Sequence, residues 1–381
     1  MRTSASTARA ATVERAPPVS AAAPSIEHAP PGAHDAPLIE AGFGESHRRF
    51  VVSVLAGAVV LMAAVATFGA LMDPYGGMGT GAFPTVVPRD ATVKADLIEG
   101  LRRPPGIVVL GSSRSLKMDP RYLHERTGQT AFNAGVRAGT PVEAYAMLRL
   151  MDDRFHEAPK RVLWMLDVEA FRSDYVDAAL LNDHRIARYF SDAELIRART
   201  HAVWPLLSWD GARDALKVAK AELTGPAPSA DEQESQAAGF FRRDGYKRLG
   251  EARDGKFVKQ KYTGFYAGNA YPELARTPLA YFEESLRLMK GWKTTPVIVI
   301  TPMSPKLQQL LGPLGWNDRR RDVVQELKRL KTRYRFELLD LSSVETWGGS
   351  PRQFADGVHL LPSNMQRLTD TVLARFPRAF Q

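Results

Sequence analysis

Ile107-Val108-Val109-Leu110-Gly111-Ser112-Ser113-Arg114-Ser115 is the stretch from which the fold is read. Its opening apolar run is too short for a helix, is rich in β-branched side chains and ends abruptly in Gly-Ser-Ser. That is the pattern of a buried strand of a parallel sheet delivering a hydroxyl to its carboxyl end. In open α/β sheets that edge is where ligands bind. Taken alone, the same residues serve equally well as a strand followed by a serine-rich turn, so the surroundings have to decide.

Downstream, apolar strands alternate with helical patterns. Residues 130–133 read as a short strand ending in Asn133-Ala134-Gly135, with further strands at 161–167, 296–301 and 336–340. Helical spacing covers 141–153, with Pro141 suited to a first turn, then 322–332, then 363–376 with Ser363 as N-cap. Five apolar strands separated by helices predict an α/β chain with a doubly wound, five-stranded parallel sheet covered on both faces. Residues 171–290 are too many for one crossover. They predict a mostly helical insertion, with helices at 193–200, 212–223 and 279–290 and a polar, charge-rich stretch at 225–268. The insertion is expected to lie over the carboxyl edge as a partial cap. Its aromatics (Trp204, Trp209, Tyr262, Phe265, Tyr266, Tyr271) are read as its own small core.

Upstream, residues 1–47 are rich in Ala, Pro and Ser and poor in large apolar side chains, which predicts a disordered tail. Residues 50–72, FVVSVLAGAVVLMAAVATFGALM, carry no charge and are long enough to cross a bilayer's hydrocarbon core. A signal-peptide core would be shorter and nearer the start. Arg48 and Arg49 precede the span, whereas Asp73 follows it and the next basic residue is Arg89. The positive-inside rule therefore puts the N-terminal tail in the cytoplasm and everything after Met72 outside. With the Ala- and Arg-rich composition of a bacterial source, this predicts a single-pass inner-membrane protein facing the periplasm. Residues 73–104 read as a juxtamembrane linker that opens on Asp73-Pro74-Tyr75-Gly76-Gly77 and contains a short helix at 91–103. The α/β domain then occupies 105–381.

The 381 residues carry a formal net charge of +9 and a pI of about 9.7, with the basic residues scattered rather than clustered. Such a surface suits anionic partners, but no nucleic-acid-binding motif accompanies it, so nucleic acid is not an expected partner. The absence of cysteine excludes disulfides, thiolate metal sites and a cysteine nucleophile. The histidines show no metal-ligand spacing such as H-x-x-x-H, and no carboxylate cluster is evident. Neither a metal nor another cofactor is expected.

A hydroxyl nucleophile needs a base, and the base needs an orienting carboxylate. Asp356-Gly357-Val358-His359 supplies both across a tight turn between the fifth strand and the last helix. Asp153-Arg154-Phe155-His156 has the same spacing but leads into the amino end of the third strand, the wrong edge for chemistry. The third element is Asn133-Ala134-Gly135-Val136-Arg137-Ala138-Gly139-Thr140. A glycine directly after a strand lets a backbone N–H approach a developing oxyanion, and Asn133 is placed to fix the loop or to donate as well.

In order and position these three segments resemble the SGNH, or GDSL-like, hydrolase superfamily, whose sheet is flavodoxin-like. Gly111-Ser112-Ser113 resembles its first block, with Ser113 in the nucleophile position and Ser112 replacing the usual Asp. Asn133-Ala134-Gly135 with Gly139-Thr140 resembles the second, and Asp356-Gly357-Val358-His359 the last. The resemblance implies Ser113, His359 and Asp356 as catalytic residues, and Ser113, Gly135 and Asn133 as oxyanion donors. The third block departs from the pattern, because Leu166-Asp167-Val168-Glu169 offers no Asn; Asn182 of the insertion is a candidate substitute. Arg114 and Arg137 flank the expected site and are candidates to meet an anionic substrate.

The single span followed by Gly-Ser-Ser-Arg resembles membrane-anchored bacterial proteins of exopolysaccharide O-acetylation and teichoic acid D-alanylation. The resemblance implies a periplasm-facing serine esterase or O-acyltransferase acting on a surface polysaccharide or glycolipid, with a membrane-bound acyltransferase as a partner. The competing expectation is a non-catalytic, glycan-binding accessory protein of an envelope assembly complex.

Overall fold

β1 (Ile107–Gly111) is flanked in parallel by β2 (Ala131–Asn133) on one side and β3 (Arg161–Leu166) on the other, with Val109 opposite both Asn133 and Leu163. β4 (Val297–Ile300) and β5 (Glu337–Asp340) continue the parallel sheet, in the order β2-β1-β3-β4-β5. The computed structural model describes residues 40–83, 85–86, 90–172, 174–225, 241–247 and 273–380, with side chains from residue 44 onward. Ile107 to Leu110 are wholly buried, as a continuous apolar run requires when helices cover both faces. The chain leaves β1 for β2 and then passes back across β1 to β3, so the strand order reverses between β1 and β3. Their carboxyl ends form the topological switch point of the sheet.

Gly111 closes β1 at φ +142°, and a Cβ there would stand 2.4 Å from the Met165 carbonyl oxygen. Only glycine permits that approach of β1 to β3. On one face of the sheet lie α2 (Asp90–Glu99), α4 (Pro141–Phe155), α8 (Arg276–Gly291) and α10 (Trp316–Leu330). There Trp164 of β3 meets Phe282 of α8 with ring centroids 4.7 Å apart. On the other face, α3 (Pro120–Thr127) and α11 (Pro362–Arg375) bury Leu123, Leu368 and Val372 against Val109, Met165 and Val299.

Several boundaries differ from the sequence expectation. α3 was not anticipated, although its signals are present: Asp119 accepts from the Arg121 N–H at 2.9 Å, Pro120 takes the first position, and Gly128 at φ +70° ends it. α8, grouped by sequence with the insertion as residues 279–290, packs on the sheet and is the crossover into β4. α2 stops at Glu99 rather than 103, and α10 begins at Trp316 rather than 322. Ser363 is not the cap of α11: Leu361 holds that place, Pro362 starts the helix, and the Ser363 hydroxyl donates to Gln353 Oε1 at 2.7 Å.

The chain divides into two units, Met1–Gly57 and Ala58–Gln381, within the first helix. That helix, α1 (Glu40–Met72), begins inside the segment read as disordered, and residues 1–39 lie outside the described residues. An ion pair of Glu45 with Arg49 at 2.7 Å, one helical turn apart, carries the helix beyond the apolar run. Eighteen consecutive residues within its segment Gly44–Met72 reach a mean hydropathy of 2.5, and the segment is long and apolar enough to cross a membrane.

The described parts of the insertion include α5 (His184–Ala187), α6 (Asp192–Leu206), α7 (Trp209–Thr224) and residues 241–247. The last of these lies over the carboxyl end of β2, where Asn133 N–H donates to the Asp244 carbonyl at 2.8 Å. Trp204 and Trp209, expected in a small core of the insertion, are exposed on its surface. The other aromatics read with them (Tyr262, Phe265, Tyr266 and Tyr271) lie outside the described residues.

Candidate active site

Ser113 follows β1 by two residues, in a tight turn whose Ser115 N–H donates to the Ser112 carbonyl at 3.0 Å. The turn lifts its hydroxyl above the switch point. His359 comes from the far end of the chain, on a small loop closed by the antiparallel bridge of Phe354 with Leu360. Gly357, at φ +103°, makes the turn, and its carbonyl accepts from the Ser304 N–H at 2.8 Å, tying the loop to the end of β4. His359 Nε2 then lies 2.8 Å from Ser113 Oγ, and His359 Nδ1 lies 2.7 Å from Asp356 Oδ2.

The second Asp356 oxygen accepts from the backbone N–H of Val358 at 3.1 Å and of His359 at 3.0 Å. Burial alone would raise the Asp356 pKa. The hydrogen bond and charge of His359, with the two backbone donors, outweigh it and hold the carboxyl far below the usual carboxylate range. A permanently ionised Asp356 favours the imidazole tautomer with hydrogen on Nδ1, leaving the Nε2 lone pair for the serine proton. The other D-x-x-H pair does none of this. His156 is the left-handed C-cap of α4 at φ +49°, and Asp153 accepts from Tyr189.

The second segment is arranged differently from the expectation. Gly135 N–H donates to Asn133 Oδ1 at 3.0 Å, and Asn133 Nδ2 donates to the carbonyls of Ser115 at 2.8 Å and Met118 at 3.0 Å. Both are consumed in holding the loop, and Asn133 is wholly buried. Neither is free to serve an oxyanion as expected. The residue that faces the site is Ala138, which shares with Ser113 the walls of a cavity of about 200 Å³. Ala138 sits at φ +54°, and among the described residues neither its N–H nor that of Ser113 has an acceptor. Two residues with unengaged backbone donors thus line the cavity beside the Ser113 hydroxyl. The signal in the sequence was weak, because alanine does not advertise a left-handed backbone.

The end of β3 holds a buried ion network in place of an amide donor. Asp167 accepts from Ser112 Oγ and, at 2.7 Å, from Thr301 Oγ1; Arg114 Nη2 pairs with Glu169 at 3.1 Å, and Arg114 Nη1 donates to Thr301 at 3.0 Å. Trp316 Nε1 completes it on Glu169 at 3.1 Å. Arg114, the expected substrate contact, is therefore the counter-ion of this network, 3.6 Å from Asp167. Arg137, the other, is bound through its N–H and guanidinium to Asp90 at the start of α2. Asn182 lies away from Ser113, bonded to the Gly76 carbonyl of the juxtamembrane loop. Among the described residues no three His, Asp or Glu side chains gather as metal ligands would.

A larger cavity of about 400 Å³ adjoins the first, sharing Ala138, Thr140 and Arg172 as walls and extending to Tyr75, Trp204 and Leu206.

No family model matches the chain, and no curated protein does. Among solved structures, a Streptococcus pneumonia protein named for platelet activating factor is 12% identical over 75% of this chain and 90% of its own, with a TM-score of 0.37. A Bacteroides fragilis protein assigned as an acylhydrolase is 10% identical over 76% of this chain and 97% of its own, with a TM-score of 0.34.

Proposed function

We propose that the chain is a membrane-anchored serine esterase or O-acyltransferase of the SGNH type. In this reading its α/β domain faces the periplasm of a bacterial cell and acts on a surface polysaccharide or glycolipid. The observation that carries the reading is the pair of hydrogen bonds through His359, to Ser113 and to Asp356. Ser113 Oγ attacks the carbonyl carbon of an acyl ester while its proton passes to His359 Nε2. The oxygen that becomes negative is met by the N–H groups of Ser113 and Ala138. As the intermediate collapses, the C–O bond breaks, and His359 returns the proton to the departing oxygen. The acyl group is left on Ser113. Water or a sugar hydroxyl, deprotonated by His359, then takes the acyl group and restores the serine. A membrane-bound acyltransferase that delivers the acyl group is the partner this reading implies.

A non-catalytic, glycan-binding role is favoured by one observation: the end of β3 offers Asp167 in place of an amide, leaving two oxyanion donors. A fluorophosphonate probe applied to the full chain in membranes separates the two. Labelling of the wild type that disappears in Ser113→Ala supports the enzyme. Equal labelling in both, or none in either, overturns it, and retained glycan binding by Ser113→Ala would then favour the accessory role.

A further inference from the structure

α6 and α7 form a hairpin whose inner faces bury Ala198, Leu206, Ala215 and Val218, as packed helices must. Their outer faces should be polar, and they are not. On α7, Trp209, Leu216 and Leu223 recur every seven residues and so fall on one stripe. They are 83%, 61% and 86% exposed, turned away from the buried side. On α6, Ile196 and Val203 repeat the arrangement, with Trp204 beside them and Leu207 just past the helix end. A row of uncovered large apolar residues on consecutive helices marks a surface that meets something apolar.

What it meets is indicated by where the hairpin is tethered. Leu206 packs against Gly69 in the last turns of α1 so closely that a Cβ on Gly69 would stand 3.3 Å from it. Just beyond the helix, the Tyr75 hydroxyl donates to Asp214 of α7 at 2.9 Å. Burial and Asp214 push the Tyr75 pKa up to about 12, so this donor persists at any physiological pH. The hairpin is thus fastened at the end of the apolar helix, the level at which a spanning helix leaves the hydrocarbon. Two tryptophans at that level suit the headgroup region. Arg213, Lys217 and Lys220 flank the α7 stripe on one side, as the basic residues of interfacial helices do.

We propose that the α6–α7 hairpin is seated in the interfacial layer of the bilayer beside α1, with the Trp209–Leu216–Leu223 stripe among the lipid chains. The proposal rests on α1 crossing the membrane, and its test separates the two. Because the chain has no cysteine, single cysteines report without background. The full chain is reconstituted in phosphatidylcholine–phosphatidylglycerol vesicles, and bimane is attached at Trp209→Cys, Leu216→Cys or Leu223→Cys. Val59→Cys on α1 and Lys328→Cys on α10 serve as references. Each is quenched by lipid-borne nitroxides and by an aqueous nickel chelate.

A seated hairpin loses most stripe emission to a shallow lipid nitroxide and little to nickel, Val59→Cys responds to a deep nitroxide, and Lys328→Cys to nickel alone. If Val59→Cys is quenched by lipid while the stripe behaves like Lys328→Cys, the span stands and the seat is refuted. If Val59→Cys is itself quenched by nickel alone, the span fails and the seat with it. Stripe positions shielded from both quenchers, and cross-linked between copies at the same positions, show a second copy in the bilayer's place. That outcome also refutes the proposal. Unchanged thermal unfolding of each variant shows that the exposed substitutions leave the fold intact.

Discussion

The Gly135 N–H donates to the carboxamide oxygen of Asn133 at 3.0 Å, so the glycine that sequence reading places at the oxyanion is spent inside its own loop. Asn133 in turn holds the carbonyls of Ser115 and Met118 with its amide nitrogen, binding the loop after β2 to the turn that carries Ser113. The expected effect of Asn133→Ala is therefore on stability first. Leaving the buried Gly135 N–H and the Met118 carbonyl without partners costs about 2 kcal/mol or more, while the Ser115 carbonyl keeps the Met118 N–H. Thermal unfolding of the full chain in detergent should show a clearly lowered midpoint. An unchanged midpoint with lost activity would return Asn133 to the role of a donor to substrate.

Ala138 carries the contrasting prediction. Ala138→Gly removes the cost of φ +54° on a residue with a Cβ and should keep esterase activity within about twofold. Ala138→Pro deletes the N–H and cannot adopt that φ, and it should lower kcat by about 100-fold or more. Hydrolysis of p-nitrophenyl acetate reads both variants, with circular dichroism confirming the fold. Equal activity in the two would remove Ala138 from the oxyanion site.

Asp356→Asn should cost kcat about 10,000-fold by favouring the wrong imidazole tautomer, with substrate binding little changed. The same carboxyl has a stability signature. Its folded pKa is depressed below the unfolded value of about 3.9, so its contribution is fully present above that pH. The contribution is lost as pH falls further, through the folded pKa. The stability advantage of wild type over Asp356→Asn should be present at pH 5 and shrink as pH falls below 4. A difference that instead grew between pH 4 and pH 2 would contradict the assigned ionisation.

How much of this could be read beforehand depends on the range of the interaction concerned. Ser113, Asp356 and His359 were legible because each sits in a short local pattern at the end of a strand or in a tight turn. The sheet was legible for the same reason, since apolar runs bounded by Gly and Pro are local. Gly135 and Ala138 were exchanged because composition does not show which way a loop N–H turns: that of Gly135 bonds Asn133 inside the loop, and nothing in the sequence marks Ala138 as left-handed. Arg114 looked like an exposed cation because nothing near it in sequence announces Glu169 or Thr301 as partners. Trp204 and Trp209 were assigned to a core because aromatic residues are usually buried, whereas these follow the helix's outward face.

The Arg114–Glu169 pair supplies a fourth prediction. Both side chains are almost wholly buried, so Glu169→Gln leaves the guanidinium short of its closest counter-charge. Breaking a buried pair from one side costs about 3–5 kcal/mol. Arg114→Met combined with Glu169→Leu should cost less than the sum of the single changes. Chemical denaturation of the four proteins measures the coupling, and strict additivity would show that the pair does not act as a unit.

Lys94 supplies a fifth. It is fully buried, donates to the carbonyls of Asn133 and Gly245, and lies 4.2 Å from the centroid of Phe241. Burial lowers its pKa to about 7, against the partial support of Asp90 and Asp244. Between pH 7 and about 10.5 the unfolded chain binds the proton that the folded chain has released, so stability rises with pH across that window. Thermal midpoints followed from pH 7 to 10 should climb more steeply for wild type than for Lys94→Met. Parallel profiles would show that Lys94 keeps its proton throughout.

Gly111 sets an asymmetry between the two partners of the Ser113–His359 hydrogen bond. Because β1 meets the Met165 carbonyl with no room for even a methyl group, the serine is anchored to a tightly packed seam between two central strands. His359 instead hangs on a loop of a few residues, closed by one bridge and one backbone hydrogen bond from Ser304. Substitutions that tune the reach between them are therefore tolerated on the histidine side alone. A search for altered activity is best aimed at the residues of 354–360 other than Asp356, Gly357 and His359, with the strand left untouched.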